Sequence, residues 1–389
     1  MDFEFSEKTS QFKAGIFAIL NEKKLELQAQ GRTIYNLSVG TPDFQTPEHI
    51  RRAVSEAAMD PENWKYALYD RPFLKEAVAG FYQKRFGVTL KPEEIMTVSG
   101  SQEAMAHIAW ALTDPGDVVL VPNPGYPIFS IGPGLCGAKV VTYDLHEDDN
   151  YMPHLDEIPQ DVADAAKFIL VSYPLNPVCT VAGDSFYEEL IAWARKHNVI
   201  VLHDNAYSDI IYGGRTGRAF LSYEGAKEVG VEFYSLSKSY NMTGGRTSLV
   251  LGNESVVRAF STIRSQYDYG MFLPLQYGMA AALTGPQESV KAQCAAYERR
   301  MKTLCGGLRE IGWNVPDSQG TMFVWAPLPA GYTDSEKFTM DLMQRSGVIV
   351  TPGSSFGSLG EGHVRMALVL PEEEMKQAVA AVKDCGILG

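Results

Sequence analysis

The sequence predicts an α/β fold: a large domain on a mostly parallel central sheet flanked by helices, plus a smaller α+β domain. Three observations carry that expectation. Short, wholly apolar runs such as 118–121 and 199–202 alternate with helix-length segments, the pattern of strands buried on both faces. Three successive runs are followed, just past their carboxyl ends, by a polar side chain capable of chemistry: Asn176, Asp204 and Lys238. Open α/β sheets bind ligands at that edge. Finally, 389 residues suffice for two domains with sizeable cores. The expected division is 46–285 for the large domain, with 1–45 and 286–389 forming the smaller one.

The composition, 45% hydrophobic and 21% charged, is ordinary for a globular chain. A net charge of −13 argues against nucleic-acid binding, which calls for a basic face. The five cysteines (Cys136, Cys179, Cys294, Cys305 and Cys385) are scattered and form no C-x-x-C pair. They predict reduced thiols in a cytoplasmic protein and no metal site. An acidic N-terminus without an apolar core predicts no signal peptide. No run of about 18 apolar residues occurs, so no membrane helix is expected.

In chain order, residues 11–30 carry Ile16, Ile19, Leu20 and Leu25 and predict an amphipathic helix ended by Gly31. Residues 34–39 form a short strand running into the turn Gly40-Thr41-Pro42-Asp43. Thr46-Pro47-Glu48 reads as a helix start, with Thr46 as N-cap and Pro47 at the first helical position. An aromatic loop over 64–70 precedes a helix over 74–86. The strand 95–98 leads through Ser99-Gly100-Ser101-Gln102 into a helix ending near Leu112. A helix N-terminus reached through glycine can hold an anion, or be a plain strand–helix turn. Strand 118–121 ends in Asn123-Pro124-Gly125-Tyr126-Pro127, a stiff turn whose ring caps the core or stacks on a flat ligand. Strand 168–173 leads to Asn176, a turn residue or an amide donor. Helix 188–197 and strand 199–202 lead to His203-Asp204-Asn205-Ala206-Tyr207. Further on come helices over 254–262 and 287–311 and strands over 322–325 and 347–350. The last strand, 362–368, carries one arginine, Arg365, in an apolar run.

The centre of the pattern is 231–253, VEFYSLSKSYNMTGGRTSLVLGN. Apolar runs flank a polar, Gly-containing segment, so the local expectation is strand, tight loop, strand. Lys238 stands between the strand ends, with the hydroxyls of Ser235 and Ser237 just before it and Arg246 eight residues after. A lysine amine forms a Schiff base with a carbonyl, and hydroxyls with a guanidinium fork hold a phosphate dianion. The set suits a phosphorylated aldehyde. S-x-S-K-x-x-x-M-x-G-x-R resembles the cofactor-lysine motif of class I/II aminotransferases, the fold-type I pyridoxal-phosphate (PLP) transferases. Six blocks in family order extend the resemblance from about residue 34 to the last helix. S-L-S-K-x-Y-N-M-T-G-x-R and H-D-N-A-Y look most like the branch of LL-diaminopimelate, alanine and aspartate aminotransferases.

The resemblance implies an aminotransferase that uses pyridoxal 5′-phosphate to move an amino group between an L-amino acid and a 2-oxo acid, in ping-pong fashion. A C–S β-lyase of the same fold is the alternative. It implies that Lys238 holds the cofactor and carries the reaction's proton. Asp204 would face the ring nitrogen, Tyr207 and Asn176 the 3′-oxygen, and Tyr126 the ring itself. Ser101, Gln102, Ser235, Ser237 and Arg246 would line the phosphate. Tyr66 would reach the phosphate of the neighbouring subunit, in a homodimer with shared active sites. Gly40, Asn176 and Arg365 are the implied substrate contacts, Arg365 clamping the α-carboxylate with two hydrogen bonds. Arg264, Tyr267 and Tyr269 lie in a stretch that resembles a crossing to the partner, and read either as substrate contacts or as dimer packing. The chain departs from the family pattern at Arg71, at Val178-Cys179, at Gly245 and at Thr247-Ser248, and the exact substrate stays open.

Overall fold

The computed structural model describes residues 3–11 and 16–388; residues 12–15 of the helix expected over 11–30 lie outside it. In chain order the strands are β1 (Tyr35–Asn36), β2 (Ile95–Val98), β3 (Val118–Asn123), β4 (Lys139–Asp144), β5 (Ala166–Ser172) and β6 (Ile200–Asn205). They continue with β7 (Gly230–Ser235), β8 (Ser248–Gly252), β9 (Phe323–Pro327), β10 (Val348–Ile349), β11 (Thr351–Pro352) and β12 (His363–Ala367). The chain forms two compact units. The larger holds Thr41–Glu298 and Ser318–Met322, and the smaller the described residues before Thr41, Arg299–Asp317 and those from Phe323 on. The sequence pattern put these divisions at 45/46 and 285/286. The start of helix Glu288–Glu310 counts with the larger unit, where Gln293 bonds the Lys238 carbonyl.

The larger unit is built on a seven-stranded sheet in the order β2-β8-β7-β6-β5-β3-β4. Strands β4, β3, β5, β6 and β7 pair in parallel, while β8 runs antiparallel to both of its neighbours. The carboxyl ends of β2, β3, β5, β6 and β7 therefore share one edge with the amino end of β8. β7 is buried along its whole length and β5 and β6 nearly so, which is why they read as mostly apolar runs without alternation. The edge strand β4 is instead mostly exposed or half-buried, with only Tyr143 buried.

In the smaller unit β11, β12 and β9 form an antiparallel sheet, and β1 pairs in parallel with β10. Helix Ile16–Ala29 covers a core of Leu20, Leu27, Met343 and Ile349, flanked by Ile34 and Met340. The expected apolar stripe is corrected here. Leu20 and Leu27, two turns apart, face inward, whereas Ile19 and Leu25 fall off that line and are 48% and 56% exposed. The expected cap at Thr46 is corrected too. Helix Glu48–Met59 starts one residue later, with Pro47 in the capping position, and the Thr46 hydroxyl donates to the Asn241 carbonyl at 2.7 Å. Among the described residues no helix is long and apolar enough to cross a membrane.

Candidate active site

The lysine does not sit in an open loop. After β7 the chain makes one helical turn, Leu236–Ser239, and Lys238 lies within it, half-buried. Ser235 caps that turn, its Oγ accepting the Ser237 amide at 3.2 Å. Both serines are buried.

Beside this turn the sheet edge supplies an anion cradle. Gly100, between β2 and helix Ser101–Leu112, has φ +95°, and a Cβ there would stand 2.3 Å from Nη2 of Arg246. The guanidinium thus lies against the glycine backbone at the start of a twelve-residue helix. Arg246 holds a left-handed backbone and donates from Nη1 to the Thr243 carbonyl at 3.1 Å. The Ser101 and Ser248 hydroxyls lie 3.1 Å apart, and the sheet register sets Ser248 opposite both Val98 and Ser235. A helix N-terminus, a guanidinium and hydroxyls gathered at one edge suit a phosphate dianion. Gln102 and Tyr126 belong to the same region: the tyrosine hydroxyl donates to Oε1 of Gln102 at 3.0 Å, tying the stiff turn after β3 to that helix start.

Two buried carboxyl groups sit on neighbouring strands and differ in their surroundings. Glu232 of β7 accepts from the Tyr82 hydroxyl at 2.6 Å and the Phe220 amide at 2.6 Å. It pairs in register with His203, which burial pushes down to about 3 and so keeps uncharged. Asp204 is the next residue along β6, so its side chain leaves the other face of the sheet. Its Oδ1 is buried with no hydrogen-bond partner among the described residues, and burial pushes its carboxyl up to about 7. The Ser172 hydroxyl fixes the backbone below it, donating to the Asp204 carbonyl at 3.1 Å. A buried carboxylate lacking a donor is costly, and an external N–H⁺ placed against it would restore its charge.

Asn176 and Tyr207 are both buried, on the loops that follow β5 and β6. The segment Ser318–Met322 laces these loops together: Gln319 donates from its amide to Cys179 O at 3.2 Å, Tyr212 to Gln319 O at 3.0 Å, and Thr321 to Ile210 O at 2.8 Å. Tyr66 and Arg264 both meet the segment 264–269 of their own chain. Tyr66 is 78% exposed and packs edge-on against Tyr269 at 5.2 Å. Arg264 is buried, with Nε and Nη2 donating to Asp268 at 2.8 and 2.6 Å and Nη1 to the Thr97 carbonyl. Its guanidinium braces helix Glu254–Arg264 against β2. Tyr267 packs on His107 and Trp110 at 4.8 and 5.8 Å.

In the smaller unit Arg365 is buried on β12. Its guanidinium carbon lies 4.1 Å from the Phe323 ring centre and 4.8 Å from that of Phe356. Nη2 donates to the Ser38 carbonyl at 3.0 Å. Gly40 packs so closely on Phe323 that a Cβ would meet its ring at 2.3 Å. Sequence reasoning missed Ser248, Asp209 and Gln293. Asp209 accepts from Ser239, the residue after the lysine, at 2.7 Å, and from Tyr234 at 2.9 Å. Asp209 and Gln293 reach the lysine turn from 30 and 55 residues away, and Ser248 meets Ser101 from 147 residues away, so no local motif marks their roles.

A mostly parallel sheet with a lysine turn, an anion cradle and an unsatisfied carboxyl along one edge suits fold-type I pyridoxal-phosphate enzymes, and comparison with known proteins makes the assignment specific. The family model "Aminotransferase class I and II" matches residues 32–382, and the chain belongs to that family. The LL-diaminopimelate aminotransferase of Dehalococcoides mccartyi strain CBDB1 is 40% identical over 379 residues, 97% of each chain. The apo structure of BacF from Bacillus subtilis superposes with a TM-score of 0.96 at 34% identity, covering 100% of both chains. A probable N-succinyldiaminopimelate aminotransferase from Thermus thermophilus gives 0.90 at 34% identity, covering 95% of this chain and 100% of that one. The protein is a pyridoxal 5′-phosphate-dependent aminotransferase acting between an L-amino acid and a 2-oxo acid, and not the C–S lyase of the same fold. The cradle at Gly100 and Arg246 fits the cofactor's phosphate, and the Asp204 carboxyl fits its ring nitrogen.

Proposed function

We propose that Lys238, Asp204 and Arg365 carry the transamination, and the observation that bears most weight is the buried, unsatisfied Oδ1 of Asp204. When bound, pyridoxal phosphate supplies a carbonyl on which amines exchange and a ring that accepts the electrons left at the substrate Cα. Lys238 Nζ, freed once the substrate amine takes its place, would take the Cα proton and return it two atoms further along, to the carbon of the cofactor's former carbonyl. Asp204 holds the proton on the ring nitrogen. Asn176 and Tyr207 donate to the 3′-oxygen, and Tyr126 covers the ring. Ser101, Gln102, Ser235, Ser237 and Arg246 hold the phosphate, and the Gly40 backbone and Asn176 contact the substrate. We take the 46–285 core, with the flanking segments as a smaller domain, as the functional division. Five cysteines outside any disulfide support a cytoplasmic setting.

A panel of amino donors, LL-diaminopimelate and L-glutamate among them, tests the reading against 2-oxoglutarate and pyruvate. Turnover that depends on the 2-oxo acid is expected. Arg365→Lys should raise the KM of every donor and oxo acid alike and lower kcat/KM by about ten- to a hundredfold, because an ammonium cannot match a carboxylate in two-point fashion. Cofactor affinity should be unchanged. Unaltered kcat/KM across the panel, with only a lower Tm, would make Arg365 a structural residue.

The active unit is a homodimer in this reading. Trp64, Tyr66, Leu68, Tyr69 and Tyr269 are all at least 60% exposed, an apolar face that calls for a cover. Two-fold symmetry would carry each Tyr66 to the other copy's phosphate. Mixing Lys238→Ala with Tyr66→Phe should restore activity through one hybrid site that is wholly wild type. A fully active monomer in sedimentation at working concentration would rule the shared site out.

A further inference from the structure

A single helical turn leaves its carbonyl groups without partners inside the helix. In the turn Leu236–Ser239, the carbonyl of Lys238 is satisfied from far along the chain. Nε2 of Gln293, on helix Glu288–Glu310, donates to it at 2.7 Å. Gln293 is only 5% exposed, and the same amide is used at both ends: its Oε1 accepts from Asn241 Nδ2 at 2.6 Å. Asn241 has a left-handed backbone, φ +56°, and is bonded twice more. Nδ2 also donates to the Gln45 carbonyl at 3.3 Å, and the Asn241 carbonyl accepts from Thr46 at 2.7 Å. One buried amide thus joins the lysine turn to the segment that follows the Gly40 loop.

We propose that Gln293 is a positioning residue for Lys238, fixing the backbone from which the amine alternates between holding the cofactor and carrying the substrate proton. The proposal rests on Lys238 being the cofactor lysine. The side-chain amide offers a donor to one neighbour and an acceptor to the other. Leucine offers neither. An ionised glutamate keeps the acceptor towards Asn241 but sets a negative charge against the Lys238 carbonyl. Either change leaves that carbonyl without its donor, and a buried polar group without a partner opens locally more often.

The test uses the full-length chain, with Gln293→Leu and Gln293→Glu beside wild type. Amide hydrogen exchange on the cofactor-free protein should rise about tenfold or more at Ser239 and Tyr240 in both variants, with the amides of β6 unchanged. With pyridoxal 5′-phosphate bound, the pH titration of its visible absorbance, which reads the lysine nitrogen, should move. The kcat of the best donor in the panel should fall about tenfold, while its KM stays within about twofold. Wild-type exchange at Ser239 and Tyr240, or a lower Tm with unchanged titration and kcat, overturns the proposal. Should Gln293→Leu not fold, the same readouts on Gln293→Glu decide it. Borohydride mapping of the same samples separates the two levels. A label away from Lys238 overturns the lysine assignment, whereas a label on Lys238 with unchanged exchange overturns only the role of Gln293.

Discussion

Lys238→Ala abolishes amino-group transfer, lowering turnover by roughly four decades or more, because it removes both the nucleophile and the proton carrier. The fold should survive. The side chain is half-buried, and the bonds that shape its turn run through neighbours: the Ser235 cap and the Gln293 bond to the Lys238 carbonyl, a backbone group. Pyridoxal phosphate should still bind, held by the Arg246 cradle, but without the absorbance of a lysine adduct. Steady-state assay, thermal unfolding and the visible spectrum of one preparation check the three statements together. Residual turnover within a hundredfold of wild type would mean that another group carries the proton.

Asp204→Asn slows the proton-transfer half-reaction by about two to four decades, roughly 3 kcal/mol or more of barrier. A neutral amide cannot hold a proton on the ring nitrogen by charge. Without cofactor the same change should act in the opposite direction on stability. Burial raises the Asp204 carboxyl in the folded chain to about 7, from an ordinary value of 3.8. Between those values the folded state binds more protons than the unfolded one, so the cofactor-free wild type loses stability as pH rises through that window. The penalty is fully present above about pH 7 and absent below about pH 4. Asp204→Asn has no such group, so its cofactor-free Tm should exceed that of wild type at pH 8 and approach it in acid. At roughly 1.4 kcal/mol per pKa unit the gap is on the order of a few kcal/mol. Near-wild-type single-turnover rates in the variant would remove Asp204 from the chemistry. A cofactor-free Tm difference independent of pH would show that the carboxyl is solvated after all.

The sheet and its active edge were legible because strand periodicity and turn residues are local. Apolar runs leading to Asn176, Asp204 and Lys238 marked β5, β6 and β7, while the antiparallel sense of β8 is seen only in its pairing with β2 and β7. What the local pattern missed was decided by tertiary partners. Thr46 looks like an N-cap in isolation, yet Asn241 claims its hydroxyl. Ile19 and Leu25 are as apolar as Leu20, and only the packing of Met343 and Ile349 chooses the buried line. Arg264 reads either as a substrate contact or as dimer packing, and the bonds from its guanidinium to Asp268 and the Thr97 carbonyl cannot be read from the local pattern. The Oδ1 of Asp204, unpartnered among the described residues, was also out of reach, although burial lifts both Asp204 and Glu232 to about 7. That Asp204 falls at the carboxyl end of a strand is visible in the sequence, but which buried carboxyl leaves an oxygen without a donor, Asp204 or Glu232, depends on Tyr82 and Phe220, remote in the chain. Gln293 lies 55 residues from Lys238 and carries no motif.

Lys238 is proposed to hold the cofactor, and borohydride reduction reads that bond itself. Reducing the wild-type protein with pyridoxal 5′-phosphate bound, digesting it and mapping the modified peptide should place one pyridoxyl group per chain on Lys238, with none on Lys238→Ala treated alike. A label on any other lysine, or an equal label on the variant, would contradict the account.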